Sequence, residues 1–216
     1  MLLILVAGGP VEASLLKKVI EDAGDAEFRL AGIDAGVLRI EEAGMRPDMV
    51  IGDFDSVSPA EKARILTEYP DQIALDPVKD DTDMEAAVHY AVSQKPERVV
   101  LLGALGKRMD HTMTNLRLLS LFAEAGISAV MQDERNRIRI LTGNVRLLRS
   151  DLYGPYISLL PVSGVVKGIT LRGFKYPLTR AALEPFSSLG VSNELTEAVG
   201  EIEFEEGLLY LMETKD

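Results

Sequence analysis

The 216-residue chain contains no cysteine, which excludes disulfides, thiolate zinc sites and cysteine nucleophiles. Only two histidines occur, His89 and His111, too isolated from each other to suggest a metal site or a catalytic triad. Positive charge is scarce as well: 23 Lys and Arg face 34 Asp and Glu, a formal net charge of −11. That balance argues against a nucleic-acid surface, which needs a basic face, and against anionic membranes. A small phosphorylated substrate stays compatible, provided a metal ion or a local basic group intervenes. No stretch reaches the ~18 consecutive apolar residues of a membrane span. Met1 to Ala7 is apolar, but it lacks the basic flank of a signal peptide and runs into Gly8-Gly9-Pro10. We read it as a buried first strand and expect a cytoplasmic protein. Hydrophobic residues make up 47 % of the chain, too many for a disordered acidic polymer. The length suits one large domain or two small ones, with a core that needs no staples.

Short apolar runs alternate with amphipathic stretches through the first two thirds. Leu2–Ala7, Phe28–Ile33, Met49–Ile51, Ile73–Leu75, Val99–Leu102 and Ala129–Met131 each end at or near Gly or Asp. The intervening segments, such as Ala13–Ala23, carry helical spacing. This rhythm predicts βαβ units and a mostly parallel sheet with helices on both faces. Ligands of such sheets lie outside the carboxyl ends of the strands, where Asp34, Asp53, Asp55, Asp80, Asp81, Asp83 and Asp110 collect. After about Thr142 helical spacing fades. Tyr156–Leu160, Val165–Leu171, Val199–Phe204 and Leu208–Met212 read as strands, the last two as a hairpin closing near Glu206-Gly207. We therefore expect an α/β domain over 1–142 and an all-β sandwich domain over 143–216.

Three blocks carry chemistry. In Asp53-Phe54-Asp55, residues i and i+2 of an extended segment point the same way, and paired carboxylates repel unless a cation joins them. Oxygen donors without Cys or His select a hard ion such as Mg²⁺; an ordinary turn after a strand is the plainer explanation. In Lys79-Asp80-Asp81-Thr82-Asp83-Met84-Glu85, Thr82 with Glu85 has the spacing of a capping box. Capping does not account for three neighbouring aspartates, and Asp83 is the natural third ligand of an ion held by Asp53 and Asp55. In Gly103-Ala104-Leu105-Gly106-Lys107-Arg108-Met109-Asp110, a glycine-containing basic loop precedes a helix, a ready anion site, although Asp110 also suits the helix N-cap. It is not a Walker A loop, since Leu101 and Arg108 occupy the required Gly and Ser/Thr positions, and no G-x-G-x-x-G follows the first strand.

These blocks, in this order, resemble the thiamine pyrophosphokinase family. The likeness includes Ile33-Asp34-Ala35-Gly36, Pro47 to Ser56, Lys79 to Glu85 and Gly103 to His111, and later Gly173-Phe174-Lys175-Tyr176-Pro177-Leu178 and Val191-Ser192-Asn193-Glu194. The resemblance implies that ATP and thiamine yield thiamine diphosphate and AMP with Mg²⁺, in a homodimer whose active sites lie between subunits. It implies catalytic and metal-binding roles for Asp53, Asp55 and Asp83. Asp34, Gly36, Asp80, Thr82, Arg108 and Asp110 would bind nucleotide, and Ser192 and Asn193 from the partner would contact thiamine. Lys107 and Ala35 stand where the family usually has glycine. Two other readings compete. A Mg²⁺-dependent phosphohydrolase would use Asp53 as an aspartyl-phosphate nucleophile, and a nucleotide-sensing module would have no activity.

Overall fold

The computed structural model describes residues 1–74 and 81–216, and the chain divides into two compact units, Met1–Glu134 and Arg135–Asp216. In the first unit, strands β1 (Leu2–Val6), β2 (Phe28–Ile33), β3 (Met49–Gly52), β4 (Gln72–Ala74), β5 (Arg98–Leu102) and β6 (Ser128–Gln132) line up in the order β4-β3-β2-β1-β5-β6. Every pairing among them is parallel, as the alternation of apolar runs and helices predicts. The helices are α1 (Ala13–Glu21), α2 (Gly36–Glu42), α3 (Pro59–Glu68), α4 (Asp83–Gln94) and α5 (Met109–Glu124).

β1 lies between β2 and β5, and none of its residues exceeds 6 % exposure. Successive strand residues face opposite sides, so both faces of the sheet are covered. On one face Leu2, Ile4 and Val6 pack with Leu30, Val100 and Leu102 under Leu15, Leu16 and Val19 of α1 and Ile40 of α2. α3 is opened by a full capping box: Glu61 N donates to Ser58 Oγ at 3.3 Å, and Ser58 N donates to the Glu61 carboxylate at 2.9 Å. Glu41 of α2 receives Arg64 of α3 through two bonds of 2.7 and 2.8 Å and the Tyr69 hydroxyl at 2.6 Å. Arg46 stacks on the Tyr69 ring, 4.6 Å from its centre. This network ties α2 to α3 directly behind the loop that follows β3.

The second unit contains β7 (Asn136–Leu141), β8 (Val145–Leu148), β9 (Tyr156–Pro161), β10 (Val166–Arg172), β11 (Leu178–Leu183), β12 (Val199–Glu203) and β13 (Leu209–Thr214). β13 pairs antiparallel with β7 and β9, and a four-stranded antiparallel sheet runs β11-β10-β12-β8. Leu141, Ile157, Leu159, Leu209 and Leu211 from the first set meet Leu147, Val166, Ile169, Leu171 and Ile202 from the second in one core. Two sheets over a shared core make the expected sandwich.

Two expectations change. The units part between Glu134 and Arg135, earlier than 142/143, because Asn136–Leu141 pairs along its whole length with β13. The hairpin expected at Glu206-Gly207 is absent: β12 pairs with β10 and β8, whereas β13 joins β7 and β9. The connection, turning through Gly207 at φ +102°, carries the chain from one sheet to the other. Among the described residues no helix is long and apolar enough to cross a membrane.

Candidate active site

The strand order of the first unit reverses between β1 and β5, and the crevice beyond their carboxyl ends is where such sheets take ligands. Its floor is bare backbone. Ala7 N donates to Leu102 O at 2.8 Å and Gly9 N to Gly103 O at 3.0 Å. A Cβ on Gly36 would lie 1.8 Å from the Val6 carbonyl oxygen, so only glycine lets α2 begin against the end of β1. Ala35, by contrast, sits at φ −61° and needs no glycine.

Asp34, Asp53 and Asp83 meet beside this floor. Ile33 and Ile51 are partners in the parallel β2–β3 ladder, so the residues that follow them stay adjacent, with Asp34 N donating to Ile51 O at 2.8 Å. Thr82 caps α4 by accepting from Glu85 N at 3.2 Å and so sets Asp83 in the first helical turn. One carboxylate oxygen from each of the three lies within 4.8 Å of the others. Asp53 is 9 % exposed. One Asp34 oxygen accepts from the Ser56 hydroxyl, while Oδ1 is buried without a partner. Burial pushes the Asp34 carboxyl above its ordinary value; the charges of Asp83 and Asp55 push the same way, against the Ser56 hydrogen bond. A donor set of crowded oxygens with an orphaned atom fits a hard divalent cation.

Asp55 is not one of the three. Phe54 is buried at 1 % exposure and adopts φ +56°, so the segment is not extended and the i, i+2 argument does not apply to it. Asp55 N instead donates to Asp53 Oδ1 at 2.9 Å, and its carboxylate is exposed. Lys62, from the start of α3, donates to the Asp53 carbonyl at 2.5 Å and clamps the same turn. The sequence reading overlooked Lys62; the only signal was its spacing from Ser58 at the head of a helix.

Across the crevice the loop between β5 and α5 is held by Asn115, 7 % exposed, which donates to Ala104 O at 2.8 Å. Thr112 Oγ1 reaches Gly106 O at 3.2 Å. Arg108 and Asp110 form a two-bond pair at 3.1 and 2.6 Å. The Arg108 hydrogen bonds, with a further one from His111 N, hold the Asp110 carboxyl at about 2. Asp110 is not the N-cap; α5 starts at Met109, and Asp110 lies in its first turn. Lys107 takes φ +54° and its Nζ donates to Gly8 O at 3.0 Å. Lys79 and Asp80 fall outside the described residues.

In the second unit Asn193 is 6 % exposed. Its side-chain oxygen accepts from Tyr176 N at 3.0 Å and Glu194 N at 2.9 Å, and its nitrogen donates to Tyr176 O at 2.8 Å. Most of its amide is therefore spent on fixing the Gly173–Pro177 turn. Ser192, at φ +56°, donates its N–H to Ser158 Oγ at 3.0 Å. Beside them Arg149, Leu152, Gly154, Pro155, Glu194 and Leu195 line a cavity of about 320 Å³.

The sequence matches the family model of the thiamin pyrophosphokinase catalytic domain over residues 23–131 and that of the thiamin pyrophosphokinase vitamin B1 binding domain over residues 144–209. It is 32 % identical over 215 residues to the thiamine pyrophosphokinase of Bacillus subtilis, covering 98 % of both chains. The crystal structure of thiamine pyrophosphokinase from Bacillus subtilis superposes with a TM-score of 0.87 at 29 % identity over the whole of both chains. That of thiamin pyrophosphokinase from Geobacillus thermodenitrificans gives 0.84 at 33 % identity, covering 100 % of this chain and 98 % of the other.

Proposed function

The chain belongs to the thiamine pyrophosphokinase family, and from that footing we propose that it moves the pyrophosphoryl group of ATP onto the hydroxyl of thiamine, giving thiamine diphosphate and AMP. The observation that carries this reading at the residue level is the convergence of Asp34, Asp53 and Asp83 within 4.8 Å at the strand ends. These three would hold Mg²⁺, with Asp34 taking the place first given to Asp55. A bound Mg²⁺ supplies charge neutralisation to the phosphates and Lewis acidity at the transferred group.

The remaining work falls to the chain. Lys62 and the capping box of α3 keep the Asp53 turn in place. Thr82, as the cap of α4, aims Asp83. Arg108, held by Asp110, binds phosphate, and the Gly36 and Gly103 region provides a floor on which the nucleotide lies close to the backbone. The thiamine oxygen forms its bond to the β-phosphorus as the bond to the oxygen carried off by AMP breaks. The hydroxyl proton goes to Asp55, the exposed carboxylate beside the three.

We also propose a cytoplasmic homodimer in which Ser192 and the turn anchored by Asn193 serve the partner's thiamine. Tyr176, Phe186, Leu189 and Val191, exposed apolar side chains flanking Ser192, support that reading. The test is an acceptor screen with ATP and Mg²⁺. AMP and thiamine diphosphate should appear in equal amounts with thiamine, vanish in excess EDTA and return with Mg²⁺ or Mn²⁺. Full turnover in EDTA would refute the carboxylate assignment. Light scattering should report twice 23.6 kDa; a fully active monomer would remove the shared thiamine site.

A further inference from the structure

Lys107 occupies the left-handed region, which glycine enters freely and lysine only at a cost. The turn sends its side chain back across the sheet end, where Nζ donates to the Gly8 carbonyl. Gly8 follows β1 and Lys107 follows β5, the two strands between which the order reverses. An ammonium thus spans the mouth of the crevice in which open parallel sheets take nucleotides.

Charge balance separates Lys107 from its neighbour. Arg108 is already paired with Asp110 at 2.6 Å. Among the described residues Lys107 has no carboxylate partner, and its one hydrogen bond goes to a neutral carbonyl in an exposed position. An ammonium is drawn more strongly to an anionic phosphate than to a neutral carbonyl, because the full opposite charge adds Coulombic attraction, and the four-carbon stem lets it swing there. The carboxylates that would grip the transferred pyrophosphoryl group stand at the ends of β2 and β3 and the start of α4. Lys107 stands on the opposite side of β1, so the phosphorus nearest to it is the one on the nucleoside side of the transferred group.

We propose that Lys107 is a specificity-determining residue for the nucleotide, exchanging the Gly8 carbonyl for the α-phosphate that departs with AMP. The assignment presupposes the transferase reading above. It gives the leaving group a cation as negative charge builds on its oxygen, and it favours nucleotides over bare nucleosides.

The experiment compares adenosine, AMP and ATP with Mg²⁺ by calorimetry on the wild type, Lys107→Met, Lys107→Arg and Lys107→Gly, alongside steady-state AMP release. Lys107→Met should weaken AMP about tenfold, the loss of one charge-assisted hydrogen bond, and raise the KM for ATP by a similar factor. Adenosine binding should not change, and Lys107→Arg should stay within about threefold of wild type for AMP. Lys107→Gly relieves the backbone and guards against a folding defect in the methionine variant; it should lose AMP affinity equally while melting no lower than wild type. Equal weakening of adenosine and AMP would reduce Lys107 to a loop staple, and unchanged AMP affinity in both variants would overturn the assignment outright. A wild type that releases no AMP with thiamine would instead sink the transferase reading.

Discussion

Substituting Asp34→Asn should make the metal-free protein more stable and the Mg²⁺-bound protein less so. The three carboxylate oxygens lie within 4.8 Å of one another. Two unit charges at that separation repel by about 3.5 kcal/mol at an effective dielectric of about 20 and about 0.9 kcal/mol in bulk water. Asp34 and Asp83 are half-buried, so the relief falls between these limits, about 1–2 kcal/mol. Asparagine tolerates the backbone at φ +49°, and its carbonyl can still accept from Ser56. For a chain of this size 1 kcal/mol moves the midpoint by about 2–4 °C, so melts in EDTA should rise by roughly 2–8 °C. Saturating Mg²⁺ should raise the wild-type midpoint well beyond that of the variant, and calorimetric titration should show the variant's Mg²⁺ affinity falling at least tenfold. A lower metal-free midpoint, or a Mg²⁺ response equal to wild type, would refute the idea that these carboxylates form one cation site.

Tyr69, buried against Glu41, has its hydroxyl pushed up to about 12 from 10.0, first by burial and then by the Glu41 carboxylate. The folded state therefore favours neutral Tyr69, and its contribution is complete below about pH 10 and disappears as pH climbs towards 12. Tyr69→Phe should cost about 1 kcal/mol at neutral pH and flatten the stability loss over that alkaline window, as read from urea melts at pH 8 and pH 11. Gly36→Ala should cost about 3 kcal/mol or more, because the new Cβ meets the Val6 carbonyl at 1.8 Å; a loss under about 1 kcal/mol in urea would contradict that. Arg137→Met strips two bonds of 2.6 and 2.8 Å from Glu213, whose side chain is 2 % exposed. The cost should be about 3 kcal/mol, lessened where Arg139 turns to the same carboxylate. Adding Arg139→Met should then remove a second increment, and strict additivity of two small effects would argue against that rescue.

Much of the first unit could be read from residue order because its central strands β1, β3 and β5 are short apolar runs buried on both faces and followed closely by Gly or Asp. Parallel ladders between β1, β2 and β3 join consecutive strands, so spacing along the chain translates directly into neighbours in space. The acidic site was visible as a set of aspartates at strand ends, but its membership depends on a single torsion. Phe54 at φ +56° leaves Asp55 beside the set of three rather than in it, and the β2–β3 register brings in Asp34; neither is written in a D-x-D pattern. In the second unit Arg137-Ile138-Arg139-Ile140 has the period of a strand, a signal passed over at the domain boundary. The false hairpin arose because period-two patterning marks strands without naming their partners.

The crossing of the chain between the two layers after β12 has a kinetic side. β8 must find β12, and β7 must find β13, each across most of the second unit, whereas among the described strands of the first unit β1–β5 is the one pairing between distant segments and the others join strands that follow one another. Closing large loops before any contact compensates for them slows folding. The half that carries the carboxylates should therefore gain protection in pulse-labelled refolding well ahead of the β layers, with the thiamine side of the enzyme assembled last.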